Sequence, residues 1–218
     1  MLIEKAGLLI SATGQTLEMV FVSAFFAIAM GLPLGVLLFI TRHSQLFYQP
    51  KTHTALGLVV NVVRSIPFII LLVAITPFTR LIVGTSIGTW AAMVPLTVSA
   101  IPFFARLVEN AMHEVPGGLI EAALAMGAST SQIVWKAIIP EARVAIVRGI
   151  TLMLITLVGY SAMAGAIGGG GLGNLAIMYG YERFEIHVMI STVIILVLMV
   201  QCFQWGGDFF AKKLSITK

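Results

Sequence analysis

Five stretches of this chain contain no Asp, Glu, Lys or Arg at all: 19–40, 66–79, 90–105, 149–167 and 188–207. Each is almost wholly apolar. A chain of 218 residues cannot hide that much apolar surface in one core, and a span of the hydrocarbon layer needs about 20 mostly apolar residues. The chain therefore reads as a membrane protein that crosses the bilayer several times. Only 10% of its residues are charged, against roughly a quarter in soluble domains.

The expected spans are Met19–Ile40, about Ile66–Val83, Trp90–Leu107, about Ile150–Ile167 and Val188–Gly207. Together they predict an all-α helix bundle of about five transmembrane helices in a single domain, 1–218. The first apolar run is too long for a signal-peptide core of roughly 7–15 residues and is read as a retained span. Pro33, Pro77, Pro95 and Pro102 fall inside spans. Neighbouring helices or water must satisfy the carbonyls they free, which suits a bundle around a cavity better than a passive anchor.

Five spans put the termini on opposite sides. Arg42, Lys51, Arg64, Arg106, Lys136, Arg143, Arg148, Lys212, Lys213 and Lys218 fall on one side, against Lys5, Arg80 and Arg183 on the other. Basic residues favour the cytoplasmic side, so the N-terminus is outside and the C-terminus cytoplasmic. The net charge of +4 is explained by those loops and gives no reason to expect nucleic acid. One cysteine, Cys202, excludes an intrachain disulfide.

Between the third and fourth spans, "EAALAMGASTSQIVWKAIIP" (121–140) is too polar to cross a bilayer. Pro116 suits a helix's first turn, "GLIEAALAM" is rich in strong helix formers, and Gly127 is placed to end that helix in a left-handed conformation. Ser129 and Gln132 have capping-box spacing for a second helix over 130–139, which Pro140 should stop. The pattern predicts two short helices joined at a glycine corner. It lacks the basic face of a membrane-surface helix, so a protein-docking knob fits better than an interfacial hairpin.

Glu121-Ala122-Ala123, Gly127 and Pro140 resemble the EAA loop of permease subunits of binding-protein-dependent ABC importers. Ala137 stands where that pattern has a bulky aliphatic residue, and Ile139 where it has leucine. "NVVRSIPFIILL" (61–72), "TPFTRLIVGTSIG" (76–88), "ARLVENAMHEVPGGLIEAALAMGA" (105–128) and "TLVGYSAMAGAIGGGGLG" (156–173) are similar to the methionine-importer branch. The resemblance implies a type I importer permease, not itself an enzyme, in a bacterial cytoplasmic (inner) membrane. It implies a homodimer and two cytoplasmic ATPase subunits that bind ATP and Mg. It also implies an extracytoplasmic methionine-binding protein or lipoprotein. This chain itself would hold no cofactor or metal. The cytoplasmic loop at about 108–143 would carry the coupling residues Glu121, Ala122, Ala123, Met126, Gly127, Ala128 and Pro140.

The fourth span carries Thr151, Thr156, Gly159, Tyr160, Ser161 and Met163. Small and hydroxylated residues allow close helix approach and hydrogen bonds to neighbours. The expected gate is at Tyr160, Ser161 and Met163, facing the second copy. "GGGGLGNL" (168–175) has phosphate-loop spacing but follows a membrane span and lacks the Lys-Ser/Thr that such a loop needs. It is read as a flexible outer turn that meets the binding protein or forms the outer gate, with Gly168, Gly169, Gly170 and Gly171 as candidate contacts for the binding protein. "HEVPG" (113–117) lacks the second histidine of a zinc motif, and "GYSAM" (159–163) lacks the final glycine of a nucleophile elbow.

Arg64, three residues before Pro67, resembles the R-x-x-P of amino-acid importer permeases. It equally suits an arginine reaching back to the headgroups. The span interiors hold no ionisable group, which disfavours an ion-coupled secondary transporter, the runner-up function. An intramembrane enzyme would need a catalytic pair that the spans lack.

Overall fold

The computed structural model describes residues 2–42 and 46–216, so His43 and Lys218 lie outside the described residues. Every regular element among the described residues is helical. Four helical stretches are long and apolar enough to cross a bilayer: Ala6–Arg42, Thr89–His113, Thr130–Gly169 and Ile186–Ser215. The first belongs to α1 (Leu2–Arg42). Its helix starts well before the charge-free run, because polar residues such as Thr13, Gln15 and Thr16 are helical too.

The second span departs from expectation. α2 (Pro50–Ser65) and α3 (Phe68–Ala74) pass as one span bent by 100°, and α4 (Thr76–Val83) follows after Ile75. Pro67 supplies no N–H and drives Ile66 into extended backbone (φ −79°, ψ 123°), which breaks the helix there. Taken as one broken span, the pair begins near Pro50 rather than Ile66. Composition hid its first half because α2 mixes Lys51, His53, Asn61 and Arg64 with Leu58, Val59 and Val62.

α5 (Thr89–His113) is the central post. α1 lies parallel to it: Ser23 donates to the Met93 carbonyl at 3.3 Å, and Phe39 meets the His113 ring at the other end. Gly31 and Gly35, a small-xxx-small pair, make this approach possible. A Cβ on Gly35 would sit 2.5 Å from the Ala105 carbonyl oxygen. α6 (Gly117–Ala125) and α7 (Thr130–Ile133) form the excursion that follows. α8 (Ile139–Ala164) then returns antiparallel to α5, with Gly149 against Leu107. α9 (Gly171–Leu175) tucks back along α8, and α10 (Ile186–Ile216) packs antiparallel to α8. Arg143 closes that last pair by donating from Nη2 to the Leu214 carbonyl at 3.0 Å.

One end of the bundle is thus basic. There α1 stops at Arg42, α8 starts, and Lys212 and Lys213 end α10. The elbow built by α6 and α7 sits at this end, and the α8–α9 turn at the other.

Candidate coupling elbow and translocation site

The elbow begins at Pro116, one position before the helix rather than inside it (φ −59°, ψ 130°). Its end is a Schellman closure. Ala128 N–H donates to the Ala123 carbonyl at 3.1 Å and Gly127 N–H to that of Leu124 at 2.9 Å. Gly127 takes φ +77°, a backbone region costly to any residue with a Cβ. The next residues lock the exit. Gln132 N–H donates to Ser129 Oγ at 3.4 Å, and Ser129 N–H donates to Gln132 Oε1 at 2.9 Å, which completes the capping box.

Ile120 and Ala123 anchor α6 to the core, while Glu121, Ala122, Ala125, Met126 and Gly127 face outward. Met126 is 82% exposed and Trp135 59%. The elbow therefore presents small and apolar side chains on a stiff frame, with one carboxylate at Glu121.

Pro140 does not stop the second helix. A π-helical segment, Val134–Ile138, joins α7 to α8, and Ile139 N–H donates five residues back to Val134. Pro140 falls in the first turn of α8. One extra residue in the turn changes which carbonyls need a donor there, so the missing N–H of proline is absorbed. The elbow is consequently helically continuous with a span.

Beside the elbow, α5 and α2 are tied by charge. Glu109 is 1% exposed and forms an ion pair with Arg106, whose Nη2 donates to Asn61 Oδ1 at 3.1 Å and the Gly57 carbonyl at 3.3 Å. This settles which cation Glu109 takes. His53 and His113 approach its other oxygen, at 3.6 and 3.9 Å. Two histidines thus border a buried carboxylate. Composition gave no sign of it, because the tie joins residues 45–56 positions apart.

The expected gate is brought together only in part. Tyr160 lies on α8 with its ring stacked on Phe68 of α3, centroids 4.5 Å apart, and Met163 is 48% exposed. Ser161 is 1% exposed, turned into the protomer, and its hydroxyl donates to the Val158 carbonyl at 2.8 Å. It cannot face a second copy. Thr151 and Thr156 likewise donate to carbonyls four residues back in their own helix, not to neighbouring helices.

The glycine turn is not a loose loop. Gly169 and Gly171 are buried, and Gly168 and Gly170 half-buried. Gly171 N–H donates to Gln15 Oε1 at 2.8 Å and Leu172 N–H to Thr16 Oγ1 at 2.9 Å, while Gly88 N–H donates to the Gly168 carbonyl at 2.9 Å. Two elements, α1 and the N-cap of α5, therefore bond it in place. Gln15 and Thr16 were missed by sequence reasoning because their partners lie 156 positions away.

Residues 31–216 match the family described as the inner membrane component of binding-protein-dependent transport systems. The chain belongs to that family. It is 52% identical over 97% of its length to the probable D-methionine transport system permease protein MetI of Vibrio cholerae, covering 94% of that protein. It is 58% identical over 158 residues to the D-methionine transport system permease protein MetI of Escherichia coli K12, 72% of this chain and 73% of that one. A solved structure of inward-facing conformations of the MetNI methionine ABC transporter superposes with a TM-score of 0.94. That match covers 96% of this chain and 97% of the other at 52% identity. An amino-acid ABC transporter solved with histidines shares the fold, with a TM-score of 0.80 at 20% identity. The permease is thus a multi-pass membrane transport component, and of its EAA residues Glu121, Ala122, Met126 and Gly127 are exposed on the elbow while Ala123 is buried and Pro140 lies in α8.

Proposed function

We propose that this permease is the membrane subunit of an ATP-driven methionine importer. A homodimer would be flanked by two cytoplasmic ATPase subunits holding ATP and Mg, and served by an extracytoplasmic methionine-binding protein or lipoprotein in a bacterial inner membrane. The observation that carries the reading is the elbow: a rigid, exposed, apolar knob at the basic end, continuous with α8. A stiff element transmits displacement that a flexible loop would absorb. Closure of the ATPase pair on ATP draws two such elbows together and tilts the spans from inward-open to outward-open. ATP drives the swing only through its tighter binding to the closed state. Tyr160 and Met163 are the gate residues of this reading. The buried glycine turn then serves as a fixed outer frame, with the half-buried Gly168 and Gly170 its points of contact for the binding protein.

The elbow is tested by Ala122→Arg, a change at an exposed position that leaves the frame intact. ATPase co-purification and methionine uptake should fall together, with insertion and thermal stability of the permease unchanged. Co-purification at the level of the unmodified protein would overturn the coupling role. In a Cys202→Ser background, Met163→Cys should form an ATP-sensitive disulfide between copies if it lies at the gate.

A further inference from the structure

Between α8 and α10, with Phe21 of α1 at one end, runs an apolar groove of about 570 Å³. Gly207 packs directly on the Thr151 side chain, so α10 lies tight against α8 along its floor. At the inner end Phe21 meets Phe203 edge to face, ring centroids 5.6 Å apart. Along α10 the groove runs from Cys202 to Leu214, twelve residues or about 18 Å. Half of the hydrocarbon layer is about 15 Å deep.

The two ends differ in charge. Cys202 to Gly207 belong to the charge-free run 188–207, and Ile150 to Leu154 on the α8 wall belong to the run 149–167. The other end is basic. Lys213 lines it, and Arg143 stands beside it, its Nη2 donating to the Leu214 carbonyl. The nearby carboxylates point elsewhere. Residues 203, 206, 207, 210, 213 and 214 share one face of α10, whereas Asp208 lies off that face and accepts from Gln204. Glu141 lines a different cleft, against α5. Apolar walls about one leaflet long that end at cations match the chain and headgroup of an anionic lipid.

A second copy matches less well. Thr151 comes nine residues before Tyr160, two and a half helical turns, so the groove and the Phe68–Tyr160 stack occupy opposite faces of α8. The face that the gate reading turns toward the other copy is not this one.

We infer that the groove holds one acyl chain of an anionic phospholipid from the leaflet at the basic end, with its phosphate at Lys213. Basic residues gather on the side of the membrane whose surface is rich in anionic headgroups. The bound lipid braces α8, the span that continues into the elbow, against α10. This site is independent of the solute carried.

The test uses the complete complex in nanodiscs of equal parts dioleoyl-phosphatidylglycerol and dioleoyl-phosphatidylcholine, extracted in detergent, with retained lipid counted by native mass spectrometry. One phosphatidylglycerol per permease copy should remain, in preference to phosphatidylcholine. Gly206→Leu places a side chain in the groove from a helical position where an added Cβ meets nothing within 4 Å. It should cut retained phosphatidylglycerol at least tenfold with assembly unchanged. Lys213→Gln should lower the preference for phosphatidylglycerol about fivefold, the worth of one basic residue at an anionic surface. Equal retention of the two lipids, or none, would overturn the inference, as would unchanged retention in Gly206→Leu. Should that variant fail to assemble, an unchanged lipid preference in Lys213→Gln overturns it alone. A disulfide between the Cys202 residues of two copies under mild oxidation would also overturn it, because the groove would then be covered by protein.

Discussion

Gly127 in the elbow and Gly171 in the opposite turn share a left-handed backbone, φ +77° and +73°, yet they are glycine for different reasons. Around Gly127 a Cβ would meet nothing within 4 Å. Only the dihedral angle demands glycine there. A Cβ on Gly171 would lie 2.7 Å from Thr16 Oγ1 and 2.8 Å from the Met19 methyl, and one on Gly173 would fall on the Ala162 backbone. There both conformation and volume demand it. The elbow is a corner free to meet a partner, and the outer turn is a keystone wedged between α1, α5 and α8. A part that docks keeps its surface open, whereas a part that holds the bundle together spends its surface on neighbours.

The sharpest way to break this comparison is Gly173→Ala. Its Cβ collides with rigid backbone, not with a yielding side chain, so the cost should be about 3 kcal/mol, the upper end of overpacking penalties. A large drop in melting temperature of the purified complex checks it. Gly127→Ala should cost about 1–2 kcal/mol, from the left-handed strain alone. The loss should appear as faster hydrogen exchange at 127–133 with little change in global melting. If the two alanine variants melted alike, the distinction between corner and keystone would be wrong.

Ser129→Ala sharpens the picture at a smaller scale. It removes the hydroxyl half of the capping box, worth about 1 kcal/mol, and should loosen the exit of the elbow without disturbing α8. Smallest of all, and opposite in sign, is Gly118→Ala. That glycine is helical, exposed and without neighbours, so alanine should firm α6 by about 0.5 kcal/mol, seen as slower exchange in that helix alone.

Much of the elbow was legible in advance. Gly127 as the corner and Ser129 with Gln132 as the capping box are local signals, fixed by residues three or four apart, and both stand in the structure. Pro140 misled because a proline is a helix stop only if the register stays α. The π-helical turn at 134–138 removed that condition. The second span was misplaced for a related reason: hydropathy counts apolar residues, and α2 is amphipathic, with a polar side tied to Arg106. Ser161 looked like a pore hydroxyl because a sequence does not say which way a helix is turned.

What the sequence determined by itself was the solvent, an all-helical bundle of several crossings and the elbow, since these depend on composition and on short-range backbone rules. Tertiary structure alone decided that the glycine turn is held by Gln15 and Thr16, that Glu109 is buried against Arg106, and that Tyr160 stacks on Phe68. Those outcomes depend on which helices meet and at what depth, and contacts between residues far apart in the chain leave no periodic trace along it.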